Sequence, residues 1–154
     1  MRLISTFISA LVAVLFLASA LAQNTPTGTF DRQVIVLAYY RSPQWAAILK
    51  QKRAELADAK RANDQAKIQS LNEWGGQAQE FAHQQLWGDA PITNVMNALQ
   101  PAFQEIEKSA NVASIVPCPC KDIKTPTLDV TPQILDWLQA DADTRKLIQE
   151  VQGK

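Results

Sequence analysis

The chemistry this chain could perform starts with its two cysteines, which stand together as Cys118-Pro119-Cys120. In an exported protein a cysteine pair suggests a disulfide. Residues i and i+2 close such a ring only with strain, and the proline between them stiffens the approach. A strained disulfide is easily reduced and therefore open to thiol exchange. Two soft thiolates would also suit Cu(I), or zinc with further ligands from elsewhere in the chain or from another subunit. No second Cys-x-Cys, Cys-x-x-Cys or His-rich tract accompanies them. Three readings stay open: a structural or incidental pair, a redox or inter-subunit bond, and a metal site at Cys118 and Cys120.

Other reactive groups are sparse. His83 is the sole histidine, set between Phe81 and Leu86 with no cysteine or carboxylate at catalytic spacing, and reads as a surface or interhelix residue. Asp141/Asp143 and Glu105/Glu107 are i,i+2 pairs, so neither shares a helical face. No phosphate-cradling glycine loop, nucleophile elbow or His-Glu-x-x-His occurs. An enzyme is not expected, and neither is a cofactor. Large aromatics are the better candidates for contact: Trp74 beside Gly75-Gly76, Trp87 beside Gly88, and Phe81 between them. Aromatics on projecting elements often anchor partners. Trp87 packed against a neighbouring helix is the competing reading. Tyr39, Tyr40, Trp45 and Trp137 read as body residues.

The elements that would carry these residues follow a leader. Met1-Arg2 supplies one positive charge, Leu3 to Leu21 is almost wholly apolar, and Ala20-Leu21-Ala22 matches a signal-peptidase site, so residues 1–22 read as a secretory signal and 23–154 as a single domain. Losing Arg2 leaves 14 basic against 15 acidic groups. A net charge so close to zero argues against nucleic acid as a partner and against a polybasic membrane patch.

The apolar run Gln33-Val34-Ile35-Val36-Leu37-Ala38-Tyr39-Tyr40 is β-branched and aromatic, ends at Arg41-Ser42-Pro43, and predicts a strand over 33–40 that is covered on both faces. So small a chain has little material to cover two faces, which suggests that a second subunit supplies part of the cover. Asn24 to Thr29 reads as a polar tether. Ser42-Pro43 is a helix start, cap then proline, and from Gln44 to Asn72 no Gly or Pro interrupts. The apolar stripe of this limb fades after Leu56. Gly75-Gly76 predicts the tip of a helical hairpin, with the returning limb broken at Gly88-Asp89-Ala90-Pro91 and kinked or split at Pro101. Limbs of about 45–50 Å would result.

The outgoing limb is basic (Lys50, Lys52, Arg53, Lys60, Arg61, Lys67 against Glu55, Asp58, Asp64) and the returning one acidic (Glu80, Asp89, Glu105, Glu107 against Lys108). Pairing between limbs and two separately solvated faces both fit that pattern. A second strand over 112–117 would lie antiparallel to the first, and a third over 128–130 would precede a closing C-terminal helix begun by Thr131-Pro132 and a last helix over 143–151. The expectation is a helix-dominated α+β fold: a small β body, with a helical hairpin at about 43–110 inserted between strands 1 and 2.

That order resembles the Skp/OmpH family of periplasmic chaperones. The likeness lies in the leader, the run Val34 to Tyr40, the Ser42-Pro43-Gln44-Trp45 helix start, the return into Ile115-Val116, and the close Leu128-Asp129-Val130-Thr131-Pro132-Gln133-Ile134-Leu135. The resemblance implies a trimeric β body and ATP-independent binding of unfolded outer-membrane or other exported polypeptides in the periplasm. The chain departs from the family's long, basic, unbroken arms at Gly75-Gly76, Gly88, Pro91 and Pro101. The expected role is a chaperone-like homo-oligomer that holds unfolded polypeptides or envelope proteins through Trp74, Phe81 and Trp87, with contact to a membrane surface possible. A thiol redox or copper-binding protein using Cys118 and Cys120, and a structural envelope protein, are the alternatives.

Overall fold

The structure, a computed structural model, describes residues 25–118 and 126–153. The expected signal peptide over 1–22 and Cys120 lie outside the described residues. Three short strands are found among the described residues, β1 (Thr27–Asp31), β2 (Ile115–Cys118) and β3 (Thr127–Asp129). The helices are α1 (Arg32–Tyr40), α2 (Pro43–Arg61), α3 (Gln65–Trp87), α4 (Thr93–Ala98), α5 (Gln100–Ser109), α6 (Thr131–Trp137) and α7 (Ala142–Gln152). The fold is helix-dominated α+β, with a helical hairpin between the first and second strands.

The first strand lies earlier than expected. Residues 33–40 form helix α1, not a strand, and Val34–Leu37 does not pair with Ile115–Val116. Asp31 caps the helix, its carboxylate accepting from the Val34 N–H at 3.0 Å. A short, wholly apolar run cannot be assigned by periodicity alone. Here Val34, Ile35, Val36, Ala38 and Tyr39 are all buried, so α1 is enclosed on most of its circumference and its apolar residues show no stripe. The supposed tether supplies the strand. Gly28 is required there, because a Cβ would come within 2.9 Å of Ile115 Cγ1 and 3.2 Å of Val112 Cγ2.

The sheet order is β2-β1-β3, and both pairings are parallel, not antiparallel. Parallel neighbours need a long crossover connection. The whole helical excursion from α1 to α5 provides it, so the hairpin does not set the direction of return. The core gathers α1 against β1, α4 to α6 and Ile148 of α7, with Ile35, Val36, Val95, Leu99, Ala102, Val130, Ile134 and Leu138 entirely shielded. Phe30 of β1 stacks on Phe103 of α5 at 5.9 Å between ring centroids.

Several local signals act as read. Ser42 caps α2 and Pro43 opens it. Gly88 ends α3 in the left-handed region at φ 96°. The chain divides at Leu99, with Pro101 in the first turn of α5. At Thr131-Pro132 the first helical turn forms without a side-chain cap; the Thr131 hydroxyl instead accepts from the Asp31 N–H at 2.9 Å, tying α6 to the end of β1.

The hairpin tip is not at Gly75-Gly76. Both glycines lie inside α3, and the turn is Ala62–Asp64, where Asn63 takes φ 53° and the Asp64 carboxylate accepts from the Lys67 N–H. An asparagine in the left-handed region followed by a capping aspartate makes the turn, while a mid-helix glycine costs only about 1 kcal/mol. The limbs are therefore 19 and 23 residues long, about 28 and 34 Å. The ion pairs on the limbs, Lys52–Glu55 and Arg61–Asp58, both lie within α2, and none crosses between limbs among the described residues.

Candidate functional site

The returning helix α3 packs on α1 as well as α2. A polar knot around the buried Gln85 fixes its far end. Gln85 is fully shielded, its Oε1 accepting from the Tyr40 hydroxyl at 2.7 Å and its Nε2 donating to Pro91 O at 2.6 Å and Asn94 Oδ1 at 2.5 Å. Asn94 Nδ2 donates back to the Tyr40 hydroxyl at 3.2 Å. Each polar group of this knot is satisfied locally, as burial demands. Arg32 adds a bond to Ala90 O at 2.5 Å.

Above the knot the two limbs splay around an aromatic groove of about 910 Å³, walled by Tyr39, Tyr40, Trp45, Ile48, Trp74 and Phe81. Trp45 of α2 and Trp74 of α3 stack across it with centroids 6.3 Å apart and planes inclined by 29°. Tyr40 meets the Trp45 ring edge-on at 4.8 Å, and Tyr39 lies 5.9 Å from it. Lys52 Nζ lies 5.7 Å from the centre of the Trp74 ring while paired to Glu55 at 2.9 Å. The hydrogen bond and charge of Lys52 hold the Glu55 carboxyl below its usual range. Burial first, and Tyr40 second, push the Tyr39 phenol above its ordinary value. Phe81 and Ile48 leave 39% and 37% of their surfaces open to the groove mouth. Gly76 adds openness, since a Cβ there would meet nothing within 4 Å.

Of the contact residues expected from sequence, the structure brings Trp74 and Phe81 to this one groove and sends Trp87 elsewhere. Tyr39, Tyr40 and Trp45, read as body residues, prove to be groove walls as well. Their i,i+1 and i,i+5 spacing across the α1–α2 corner carries no face signal, so only the fold reveals the cluster.

Trp87, 70% exposed, stands over a second recess of about 790 Å³ at the carboxyl ends of the three parallel strands. Asp31, Cys118 and Asp129 line it where β1, β2 and β3 end, joined by Thr29, Arg32 and Thr131. Cys118 is disulfide-bonded, and the sequence holds one other cysteine, Cys120. A bonded Cys118 is not a thiolate ligand, and among the described residues no three His, Cys, Asp or Glu side chains converge to hold a metal. His83 lies exposed on α3 beside a small recess against α1, whose lining shares Tyr40 with the groove and Leu86 with the recess beneath Trp87. No described helix is long and apolar enough to cross a membrane.

No protein-family model, curated protein or solved structure matches the chain.

Proposed function

We propose that this is an exported, chaperone-like protein that binds unfolded polypeptides without nucleotide, taking their apolar and aromatic side chains into the groove between α2 and α3. The observation that carries this reading is the stacked Trp45–Trp74 wall facing a partly exposed Phe81 in an open cleft. Rings offer large contact area at little conformational cost, and stacking geometry is tolerant of sequence. A binder of many unfolded segments needs that tolerance. The Skp/OmpH resemblance and the secretory leader support a periplasmic location and clients bound for the outer membrane. Open edges on both sides of the sheet, with β3 exposed along its length, support a homo-oligomeric body, a trimer by that resemblance.

The test is a holdase assay in which the protein keeps an unfolded porin soluble after dilution from urea. Trp74→Ala and Phe81→Ala should each weaken protection by about tenfold or less in affinity, the scale of one lost aromatic anchor. Full protection by the double variant would overturn the groove as the client site. Failure of the native protein to protect any unfolded exported polypeptide would overturn the role itself.

A further inference from the structure

The groove between α2 and α3 holds charge as well as rings. Among the described residues two charged side chains line it, Lys52 from α2 and Glu80 from α3. Lys52 is already engaged: its ammonium pairs with Glu55 at 2.9 Å and lies 5.7 Å from the centre of the Trp74 ring. Lys67 adds to the positive field around Glu55 and helps hold that carboxyl below its usual range. Glu55 is thus the anion that balances Lys52, and the groove's own cation makes no demand on Glu80.

The charge of Glu80 is uncompensated. No Lys, Arg or His pairs with it among the described residues. Its carboxylate accepts from the Gln84 side-chain amide at 3.0 Å, and a neutral amide one turn on orients the group without cancelling its charge. Glu80 is exposed, next in the chain to the partly open Phe81, with Ile48 partly open on the other limb. Aromatic faces carry the negative side of the ring quadrupole, so the walls and the carboxylate favour the same sign of partner. A side chain with an apolar stem and a cationic end meets both demands. A guanidinium fits better than an ammonium, because it is flat enough to stack on a ring and presents a fork of N–H donors to a carboxylate.

We infer that Glu80 sets the specificity of the groove, selecting polypeptide segments in which an arginine stands beside apolar or aromatic side chains. The inference rests on the groove being the client site. The ring walls supply affinity that is tolerant of sequence, and Glu80 gives one position of the bound segment a required sign. A segment with Asp or Glu at that position brings like charge to Glu80 and to the ring faces, and is disfavoured. Glu73 supplies an internal contrast. It lies two turns earlier on the same helix and accepts from Gln69 at 2.8 Å in the same manner, but it does not line the groove.

The experiment titrates three peptides into the full-length mature protein at low salt, followed by calorimetry. Each carries leucine and phenylalanine around one central position, filled by arginine, citrulline or glutamate; citrulline keeps the shape of arginine without its charge. The arginine peptide should bind about fivefold tighter than the citrulline peptide, the scale of one exposed charge pair beside aromatic rings, and the glutamate peptide should bind most weakly. Glu80→Gln should remove the arginine advantage and leave the citrulline affinity unchanged, whereas Glu73→Gln should change neither. Glu80→Lys should reverse the order of arginine and glutamate. Trp74→Ala should weaken all three peptides. Equal binding of arginine and citrulline, an advantage that survives Glu80→Gln, or an equal loss in Glu73→Gln overturns Glu80 as the determinant while a citrulline peptide still sensitive to Trp74→Ala keeps the groove as client site. No binding by any peptide, or binding indifferent to Trp74→Ala, overturns the groove reading and this inference with it.

Discussion

Tyr40 and Gln85, at the ends of α1 and α3, share a 2.7 Å hydrogen bond, and through it the hairpin is tied to the body. The same tyrosine turns its ring toward Trp45 at 4.8 Å and so forms the inner wall of the aromatic groove. One residue thus joins the element that sets the limb's position to the surface that would bind a client.

Gln85→Leu should destabilise the protein by about 0.5–1.5 kcal/mol, because it removes the hydrogen bonds that the fully shielded Gln85 makes to Pro91 O and to the Tyr40 and Asn94 side chains. Pairing it with Tyr40→Phe should cost less than the sum of the two changes. Urea unfolding of the four proteins measures both effects; an additive result would mean the knot is not shared.

Gly76 lies mid-helix with nothing near its missing Cβ. Gly76→Ala should therefore stabilise by about 0.5–1 kcal/mol through the unfolded chain and helix propensity. Gly76→Leu should stabilise similarly yet fill the groove and reduce client protection. A stability gain with unchanged holdase activity would show that the groove floor is not used.

Asp31→Ala should cost about 0.5–2 kcal/mol by removing the cap of α1. Ile35→Ala, at a wholly shielded position, should cost about 2–5 kcal/mol. Thermal and urea midpoints check both. Losses confined to a few tenths would return residues 33–40 to an exposed or differently packed state.

Asp141 caps α7, and the Thr144 hydroxyl and then its backbone N–H hold the carboxyl below its usual range. With the folded value depressed, the cap's stabilisation is complete above the unfolded carboxylate pKa and is lost as pH falls through the folded value. Unfolding midpoints followed from about pH 5 down to pH 2 should show this loss, and Asp141→Asn should flatten that part of the curve. Exposure of the group keeps the effect small.

Leu128 is 39% exposed on the open strand β3. If the sheet edge seats another copy, light scattering after size exclusion should give an assembly larger than one chain, and Leu128→Lys should shift it toward monomer. A native monomer at micromolar concentration would remove the oligomeric body from the proposal.

Much of this molecule is written in short stretches of its sequence. Ser42-Pro43, Gly88 and Pro101 place helix boundaries because caps and missing N–H groups act within one turn, and Ile115 to Pro117 and Leu128-Asp129 reveal strands bounded by proline and charge. Tertiary structure decided the rest. Val34 to Tyr40 is helical because burial on nearly every side leaves no periodic trace, so β-branched composition misleads until the covering helices are in place. Gly75-Gly76 stays helical because the cost of two glycines is smaller than the gain of packing α3 along α1 and α2, while Asn63-Asp64 offers the turn a better conformation. Trp74 and Trp87 are thirteen positions apart on one helix, yet one enters the groove and the other guards the strand ends. That separation comes from which neighbours α3 meets along its length, a long-range fact that local chemistry does not encode.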